Sequence, residues 1–226
     1  MTGKHIPNSI TSLNLVSGFV SVVFALEGNY QIAAYLILLA AVFDFLDGFA
    51  ARLLKAYSDI GKELDSLADV VSFGVAPGMI IFGLLKELCL NAGYPVWISW
   101  IAVLIPVFSA LRLAKFNIDT RQTNSFLGLP TPANGLFWAF GLAFTSDKIV
   151  DSTVFPFVII VAVIIFSWLL VCEVHMFSLK FKSFGLKQNL LQYIFLACCL
   201  VLVIIFGMSG IAACILLYVF MSVFSK

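Results

Sequence analysis

Four aspartates stand in two apolar stretches of the sequence, where ionisable side chains are rare. Asp44 and Asp47 lie in the second half of one stretch, and Asp65 and Asp69 lie in the opening turns of the next. An ionisable group inside a membrane span is costly and usually faces the bundle interior or a water-filled cavity. Ionised carboxylates that converge in a low dielectric also repel one another, so they require positive charge nearby. The four side chains therefore predict a charged site within a membrane.

The spacing of these aspartates places them on two helical faces. In the first stretch, residues at i, i+3, i+4, i+7 and i+8 share one face: Asp44, Asp47, Gly48, Ala51 and Arg52. In the second stretch, residues at i, i+4 and i+8 share another: Gly61, Asp65 and Asp69. Because the connection 55–61 is short, the two helices are predicted to be antiparallel neighbours whose carboxylate faces meet near one membrane surface.

A hard divalent cation is the compensating charge that this cluster favours. Arg52 supplies one positive charge on the same face, which is too little for four carboxylates. Ligation by carboxylates alone suits Mg²⁺, Mn²⁺ or Ca²⁺ rather than Zn²⁺, and Mg²⁺ usually completes its shell with water or substrate phosphates. Gly48, Ala51 and Gly61 leave room for a bulky phosphate group beside the backbone. The pattern therefore predicts a metal site that receives a phosphate-bearing substrate.

The four aspartates could instead have a structural role or a role in transport. They could form interhelical ion pairs with Arg52, Lys55 and Lys62, although the carboxylates outnumber the cations at the same depth. They could also serve a cation-coupled transporter, for which Pro77 and a short fifth apolar stretch are the favourable features. The sequence shows no internal repeat of the kind that many transporters carry.

Composition places most of the chain in lipid. Of 226 residues, 62% are hydrophobic and 11% are charged, and the mean hydropathy is +1.09. Soluble domains carry about 25% charged and about 45–50% apolar residues. The formal net charge of +1 and the lack of long basic tracts indicate no nucleic-acid partner. We predict an all-α polytopic membrane protein.

Eight apolar stretches are long enough, or nearly so, to span a membrane. They are 9–27, 31–54, 62–86, 95–117, 131–146, 153–173, 188–207 and 209–225. The first shows no cleavage site and is expected to stay as a span. Gly74 and Gly78 predict close helix packing, and Pro77 between them predicts a kink.

Eight spans would divide the loops between two sides of the membrane, and the basic residues are distributed unequally between these sides. Two lie on the far side, Lys86 and Lys148. Eleven lie on the N-terminal side: Lys4, Arg52, Lys55, Lys62, Arg112, Lys115, Arg121, Lys180, Lys182, Lys187 and Lys226. The positive-inside rule then places both termini and the aspartates at the cytoplasmic face of the inner cell membrane.

The aspartate segment resembles a family signature. It contains Asp44-x2-Asp47-Gly48-x2-Ala51-Arg52-x8-Gly61-x3-Asp65-x3-Asp69. The segment resembles the signature D-x2-D-G-x2-A-R-x8-G-x3-D-x3-D of the CDP-alcohol phosphotransferase family, and every fixed position matches. The resemblance implies that CMP is displaced from a CDP-linked lipid or alcohol by the hydroxyl of a second substrate. It also implies a six-helix transmembrane core, a homodimer and a metal site that faces the cytoplasm.

The resemblance also implies roles for individual residues. Asp44, Asp47 and Asp65 would bind Mg²⁺ or Mn²⁺, as two ions, and Asp69 would complete the metal site and act as the base. The contacts to the CDP portion would come from small and polar residues: Gly48, Arg52, Ser58, Gly61, Asn8 and Thr11. For Asn8 and Thr11, which share a face with Asn14 on the first span, interhelical hydrogen bonding is an equal alternative.

Further segments resemble one branch of that family. They are Pro7-Asn8-x2-Thr11-x2-Asn14-Leu15, Ser72-Phe-Gly-Val-Ala-Pro-Gly78, Ala110-Leu-Arg-Leu-Ala-Lys-Phe-Asn117 and Phe126-Leu-Gly-Leu-Pro-Thr-Pro132. Together they are similar to the phosphatidylserine synthase branch, which joins L-serine to CDP-diacylglycerol. The likeness covers about residues 7–135. It implies one catalytic domain, 1–226, with the core at about 7–175 and an added helical hairpin at about 188–225.

The acceptor pocket is the least determined part of the site. Serine carries a carboxylate and an ammonium, and Arg112, Lys115 and Asn117 are predicted to contact them. The alternative is that these residues anchor the helix end at lipid phosphates. Glycerol phosphate or inositol phosphate could be the acceptor instead, but both would call for more basic residues than Arg112, Lys115 and Arg121. Direct attack by the acceptor is expected, because no separate nucleophile with its own base is evident.

Overall fold

The computed structural model describes residues 5–118, 126–145, 152–176 and 189–224. In these segments nine α-helices follow one another: α1 His5–Leu26, α2 Tyr30–Leu53, α3 Asp59–Asp69, α4 Ala76–Ala92, α5 Leu104–Ile118, α6 Thr131–Leu142, α7 Phe155–Val171, α8 Leu190–Phe206 and α9 Gly210–Phe224. A π-helical segment, Val70–Val75, joins α3 to α4 without a break, and a 3-10 segment, Val96–Val103, leads into α5. The prediction of an all-α chain is confirmed.

Several helices have the length and composition of membrane spans, which confirms a multi-pass membrane protein. Among the described residues, five helical stretches reach that length: His5–Leu26, Tyr30–Leu53, Asp59–Ala92, Val96–Ile118 and Leu190–Val223. All eight predicted stretches coincide with helical structure. The fifth is shorter than predicted, because α6 covers 12 residues, and α7 is an apolar helix of 17 residues.

The first two helices pack closely along their length. The connection 27–29 is a tight turn in which Gly28 takes a φ of +78°, a conformation that favours glycine. Ala33, Ala34 and Ala40 are fully buried, and such small side chains let two helix backbones approach. Ser21 Oγ also donates a hydrogen bond to the backbone oxygen of Ala33 at 2.8 Å. These contacts pack α1 against α2.

The stretch Asp59–Ala92 is the central helix of the bundle. Its most apolar window is 61% buried, against 17–33% for the other four candidate spans. The predicted close packing at Gly74 and Gly78 is confirmed, because a Cβ on either would lie within 3.1 Å of α5 side chains. The kink predicted at Pro77 stays a prediction. The structure shows a π-helical segment just before Pro77, whose missing N–H removes one hydrogen bond from the helix. The central helix therefore carries two aspartates on a strongly packed support.

A small strand pair closes one end of the core. β1, Phe126–Leu127, pairs antiparallel with β2, His175–Met176. Gly128 follows with a φ of +75°, and a Cβ there would lie 2.7 Å from the Leu170 backbone oxygen. The pair ties the segment after α5 to the end of α7. The sequence did not predict this strand pair.

The C-terminal hairpin consists of α8 and α9, joined at Gly207–Ser209. Gly207 has a φ of +58°, and a Cβ on Gly210 would lie 2.6 Å from the Leu202 backbone oxygen. These glycines allow the sharp reversal between α8 and α9, in agreement with the predicted helical hairpin at about 188–225. α9 faces the core, since Ala212, Ile215 and Tyr218 are buried there.

Candidate active site

Three of the four aspartates converge where α2 ends and α3 begins. One carboxylate oxygen from each of Asp44, Asp47 and Asp65 lies within 4.8 Å of the other two. Asp47 is 6% exposed, whereas Asp44 and Asp65 are half-buried. We call these three residues the acidic triad. The predicted meeting of two carboxylate faces is therefore present in the structure.

The acidic triad has the properties of a cation site. Asp47 Oδ2 and Asp65 Oδ1 are buried, and within the described residues neither has a hydrogen-bond partner. In the same part of the chain, no Lys, Arg or His nitrogen lies within 4.0 Å of the three carboxylates. Buried carboxylate oxygens with neither a donor nor a counter-ion are unfavourable. The donor set therefore fits a hard divalent cation, and the ion-pair alternative is not supported.

Asp69 occupies a different environment from the triad. It lies one helical turn beyond Asp65, is 6% exposed and stays outside the group of mutually close carboxylates. Its Oδ1 accepts a hydrogen bond from Asn14 Nδ2 of α1 at 3.2 Å. The four predicted ligands are thus arranged as three plus one.

A cavity of about 230 Å³ borders the acidic triad. Asp47 and Asp65 form part of its wall, and so do all six residues that were predicted to contact a CDP group: Asn8, Thr11, Gly48, Arg52, Ser58 and Gly61. The cavity therefore brings together the candidate metal ligands, one guanidinium and two glycines. This combination suits a phosphate-bearing ligand, because phosphate is recognised by cations and by exposed backbone.

The start of α3 shows why glycine and serine are needed at this wall. Ser58 has an extended backbone, and its Oγ accepts the Gly61 N–H at 3.1 Å, which caps the helix. A Cβ on Gly61 would lie 3.0 Å from Asn8 Oδ1 and 3.0 Å from Ser58 Oγ. Gly61 therefore lets the first turn of α1 approach the first turn of α3. Thr11 Oγ1 donates to the Pro7 backbone oxygen at 3.0 Å, a bond within its own helix.

Four residues of the cavity wall were not predicted as site residues: Pro7, Ala56, Tyr57 and Lys62. Tyr57 and Lys62 line it together with the predicted residues. Tyr57 lies in the turn after Lys55, whose φ of 49° redirects the chain between α2 and α3. Their position next to Ser58 and Gly61 was the available signal, but the motif spacing assigns neither of them a role.

The three predicted acceptor contacts lie near the end of α5, each with different neighbours. Arg112 is 4% exposed, and its guanidinium carbon lies 5.3 Å from the centre of the Phe116 ring. Lys115 Nζ lies 3.7 Å from a Glu173 carboxylate oxygen and 3.4 Å from the Val171 backbone oxygen. These contacts tie Lys115 to the end of α7.

Asn117 joins α5 to α3. Its Nδ2 donates to Ser66 Oγ at 2.9 Å, and its backbone oxygen accepts Lys62 Nζ at 3.0 Å. Ser66 adjoins Asp65, so this contact lies beside the acidic triad. The roles of Arg112, Lys115 and Asn117 toward an acceptor stay predictions.

Buried carboxylates at the meeting point of two apolar helices, beside a cavity with a guanidinium, define a membrane protein with a polar ligand site near one face. The chain belongs to the CDP-alcohol phosphatidyltransferase family, whose model matches residues 4–172. The resemblance carried by the aspartate signature is thereby confirmed.

Several proteins of known activity are similar to the chain. A CDP-diacylglycerol–serine O-phosphatidyltransferase of Mycobacterium leprae is 42% identical over 139 residues, which are 58% of this chain and 44% of the relative. A protein of the same name from Bacillus subtilis is 36% identical over 146 residues, 65% of this chain and 79% of the relative. An archaetidylserine synthase of Methanothermobacter thermautotrophicus is 36% identical over 129 residues, 56% and 53% respectively. The chain thus spans about half the length of two of these three relatives.

Proposed function

We propose that this chain transfers the phosphatidyl group of CDP-diacylglycerol to the hydroxyl of L-serine, giving phosphatidylserine and CMP. The observation that carries the proposal is the acidic triad beside a cavity, whose wall contains Asp47 and Asp65 of the triad and all six predicted nucleotide contacts. Membership of the family and the serine-specific names of the relatives support the same reaction.

The chain's own residues account for substrate binding. Arg52 offers a guanidinium to the pyrophosphate, and Gly48 and Gly61 let phosphate approach the backbone. Asp44, Asp47 and Asp65 would hold Mg²⁺ or Mn²⁺, as two ions in this proposal. Bound there, the cations supply charge neutralisation at the attacked and the leaving phosphate. Tyr57 offers an aromatic surface at the same cavity.

Asp69 is proposed as the general base. The serine oxygen forms a bond to the phosphorus that carries diacylglycerol, and the bond from that phosphorus to the CMP oxygen breaks. The proton of the serine hydroxyl passes to Asp69, and CMP leaves with the bonding electrons. A buried carboxylate that is separate from the acidic triad suits this role, because its oxygens are not shared among the triad's ligand positions.

Arg112 is proposed to bind the serine carboxylate. Its burial at the end of α5 makes it a fixed cation rather than a flexible surface charge. We expect Arg112→Ala to raise the apparent KM for serine about tenfold or more, since a charged hydrogen bond contributes roughly 1.5–3 kcal/mol. Lys86→Ala, on the far side of the bundle, serves as the control. An unchanged serine KM in Arg112→Ala would contradict the assignment.

The site is proposed to face the cytoplasm, in a homodimer within the inner membrane. Among the described residues, the ends of α2 and α5 and the start of α3 carry the basic side chains predicted for that face: Arg52, Lys55, Lys62, Arg112 and Lys115. Lys86 lies at the opposite end. The remaining basic residues of the prediction lie outside the described residues: Lys4, Arg121, Lys148, Lys180, Lys182, Lys187 and Lys226.

A direct assay tests the proposed function. Purified protein is incubated with CDP-diacylglycerol, labelled L-serine and Mn²⁺, and CMP and labelled phosphatidylserine are measured. We expect both products in equal amounts, loss of both on chelation, and recovery when Mn²⁺ is restored. CMP release with glycerol phosphate or inositol phosphate but not serine would contradict the choice of acceptor. No CMP with any of the three would contradict the transferase itself.

A further inference from the structure

Asn14 is the polar residue that joins α1 to the proposed base. It is fully buried, and its Nδ2 donates to Asp69 Oδ1 at 3.2 Å. The two residues are 55 positions apart in the sequence. Asn14 does not border the cavity that holds the predicted nucleotide contacts. Its one side-chain partner in the described residues is therefore the carboxylate of Asp69.

Groups other than the Asn14 side chain stabilise the contact between α1 and the π-helical segment. Ser72 Oγ, in the π-helical segment, donates to the backbone oxygen of Asn14 at 3.0 Å. One turn along α1, a Cβ on Gly18 would lie 2.8 Å from Ser72 Cα, so the two backbones are in close contact there. Both of these contacts would persist with another side chain at position 14. The amide of Asn14 is thus not what brings α1 against the π-helical segment.

The other half of the Asn14 amide makes no interhelical bond. Asn14 Oδ1 is buried and has no hydrogen-bond partner within the described residues. An asparagine that served only to fasten two helices would be expected to use both ends of its amide, since an unsatisfied buried acceptor is unfavourable. The side chain is instead committed to one carboxylate oxygen of Asp69.

We propose that Asn14 is a positioning residue for Asp69. Its Nδ2 fixes one carboxylate oxygen and so restricts rotation of the side chain, which leaves the carboxylate in one orientation toward the attacking hydroxyl. The role rests on the proposed function, in which Asp69 takes the proton. A base that is oriented by a third group is a recurring arrangement in enzymes. Small misplacements of a reacting group lower rates by about 10²-fold.

The test separates turnover from binding. Asn14→Leu keeps a similar volume and removes the donor, and Ser21→Ala removes a buried interhelical hydrogen bond of α1 that does not touch the site. We expect Asn14→Leu to lower kcat about 100-fold, with the KM for CDP-diacylglycerol and for serine each within about threefold of wild type. Ser21→Ala is expected to keep the wild-type kcat.

Other outcomes overturn the proposal. A kcat for Asn14→Leu within about threefold of Ser21→Ala would show that Asp69 needs no orienting partner. Asn14→Ser, which is smaller and polar, is measured alongside; if both Asn14 variants melt well below Ser21→Ala, the role of Asn14 is structural. A wild-type protein that releases no CMP with any acceptor overturns the proposed function and this role with it. An active wild type with an unaffected Asn14→Leu overturns the role of Asn14 alone.

Discussion

At the scale of single residues, the aspartates divide by environment rather than by sequence. Asp44, Asp47 and Asp65 share a space small enough for common ligands, and two of their oxygens are buried without a donor in the described residues. Asp69 lies apart and is held by an amide of α1. Helical spacing alone does not separate Asp69 from Asp65, because both lie on the same helical face; the family resemblance implied a distinct role for Asp69. The hydrogen bond from Asn14 of α1 distinguishes the environment of Asp69 from that of Asp65.

Replacing Asp69 by asparagine tests the proposed base. Asp69→Asn keeps the size of the side chain but removes the carboxylate that accepts a proton, so turnover should fall by at least about 10²-fold. CDP-lipid binding, measured by isothermal titration with Mn²⁺ present, should stay within about threefold of wild type, since general-base catalysis alone is lost. Loss of that binding would make Asp69 chiefly a metal ligand.

Replacing a triad residue tests the cation site without any assay of turnover. Asp65→Asn removes one of three converging carboxylates, so Mn²⁺ affinity, measured by electron paramagnetic resonance, should fall about tenfold or more. Asp59→Asn is the matched control, because Asp59 is an exposed carboxylate in the first turn of the same helix. Equal Mn²⁺ affinities for the two variants would mean that the metal does not bind at the triad.

At the scale of helices, close backbone contact is what brings α1 to the site. Gly18 of α1 packs against Ser72 of the π-helical segment. On α6, Gly135 packs against Phe73 of the same segment, where a Cβ on Gly135 would lie 2.9 Å from Phe73 Cα. Small residues at such crossings let helices approach in lipid, where no hydrophobic force drives them together. The position of Asn14 beside Asp69 depends on this crossing.

Enlarging Gly18 should therefore affect both stability and turnover. Gly18→Ala places a methyl group against Ser72 and pushes α1 outward, which we expect to destabilise the fold by about 1–3 kcal/mol and to lower kcat. Gly141→Ala is the control, since its Cβ would meet Ala212 at 3.5 Å, an ordinary contact. Thermal unfolding in detergent and CMP release are measured for both. Equal melting temperatures for the two variants would contradict the close crossing.

The helices were predictable from the sequence, whereas their distortions were not. Apolar runs located the α-helices of the described residues, because lipid requires about 20 apolar residues per span. The π-helical segment escaped prediction in its form, since its residues are as apolar as those of the flanking turns. The contact between Asn14 and Asp69 was undetermined for another reason: it joins positions 55 apart and depends on how α1 leans on the central helix.

The turn after α2 is a part of the candidate site that the sequence did not predict. All six residues predicted to contact a CDP group line the cavity, and three of them belong to the signature: Gly48, Arg52 and Gly61. Helix periodicity fixes which side chains of one helix share a face. The binding roles of the six residues stay predictions. Tyr57 and Lys62 join them only because Lys55 takes a left-handed backbone and Ser58 then caps α3. A positive φ at a lysine has no signature in composition.

At the scale of the whole molecule, the bundle is proposed to hold its acidic site at one membrane face. The site lies where α2 ends and α3 begins, while the α4 end carries Lys86 and Glu87 at the opposite side. Tyr30 Oη donates to Glu87 Oε1 at 2.6 Å there, which holds the start of α2 against the central helix. The two ends of the bundle are thus chemically distinct, as an oriented membrane enzyme requires.

Side-specific labelling tests this orientation. In intact cells, a cysteine introduced by Asp59→Cys should react with a membrane-impermeant maleimide only after permeabilisation, and one introduced by Gly93→Cys should react without it. Asp59 is the first residue of the helical stretch Asp59–Ala92, and Gly93 directly follows its last residue. The unaltered chain, with its five natural cysteines, gives the background. Labelling of Asp59→Cys from outside would reverse the proposed topology.

The π-helical segment also constrains how this chain can change over evolutionary time. Its hydrogen bonds run from residue i to i+5, so a turn of this segment holds about one residue more than a turn of the flanking α-helices. Deleting one residue within Val70–Val75 would therefore give a regular α-helix whose two ends keep nearly the same angular relation. A deletion in the flanking α-helical turns would instead rotate Asp65 and Asp69 by about 100° relative to the packed face of α4, since an α-helix has 3.6 residues per turn. We therefore expect active relatives to differ by at most one residue in the length between Asp69 and Pro77.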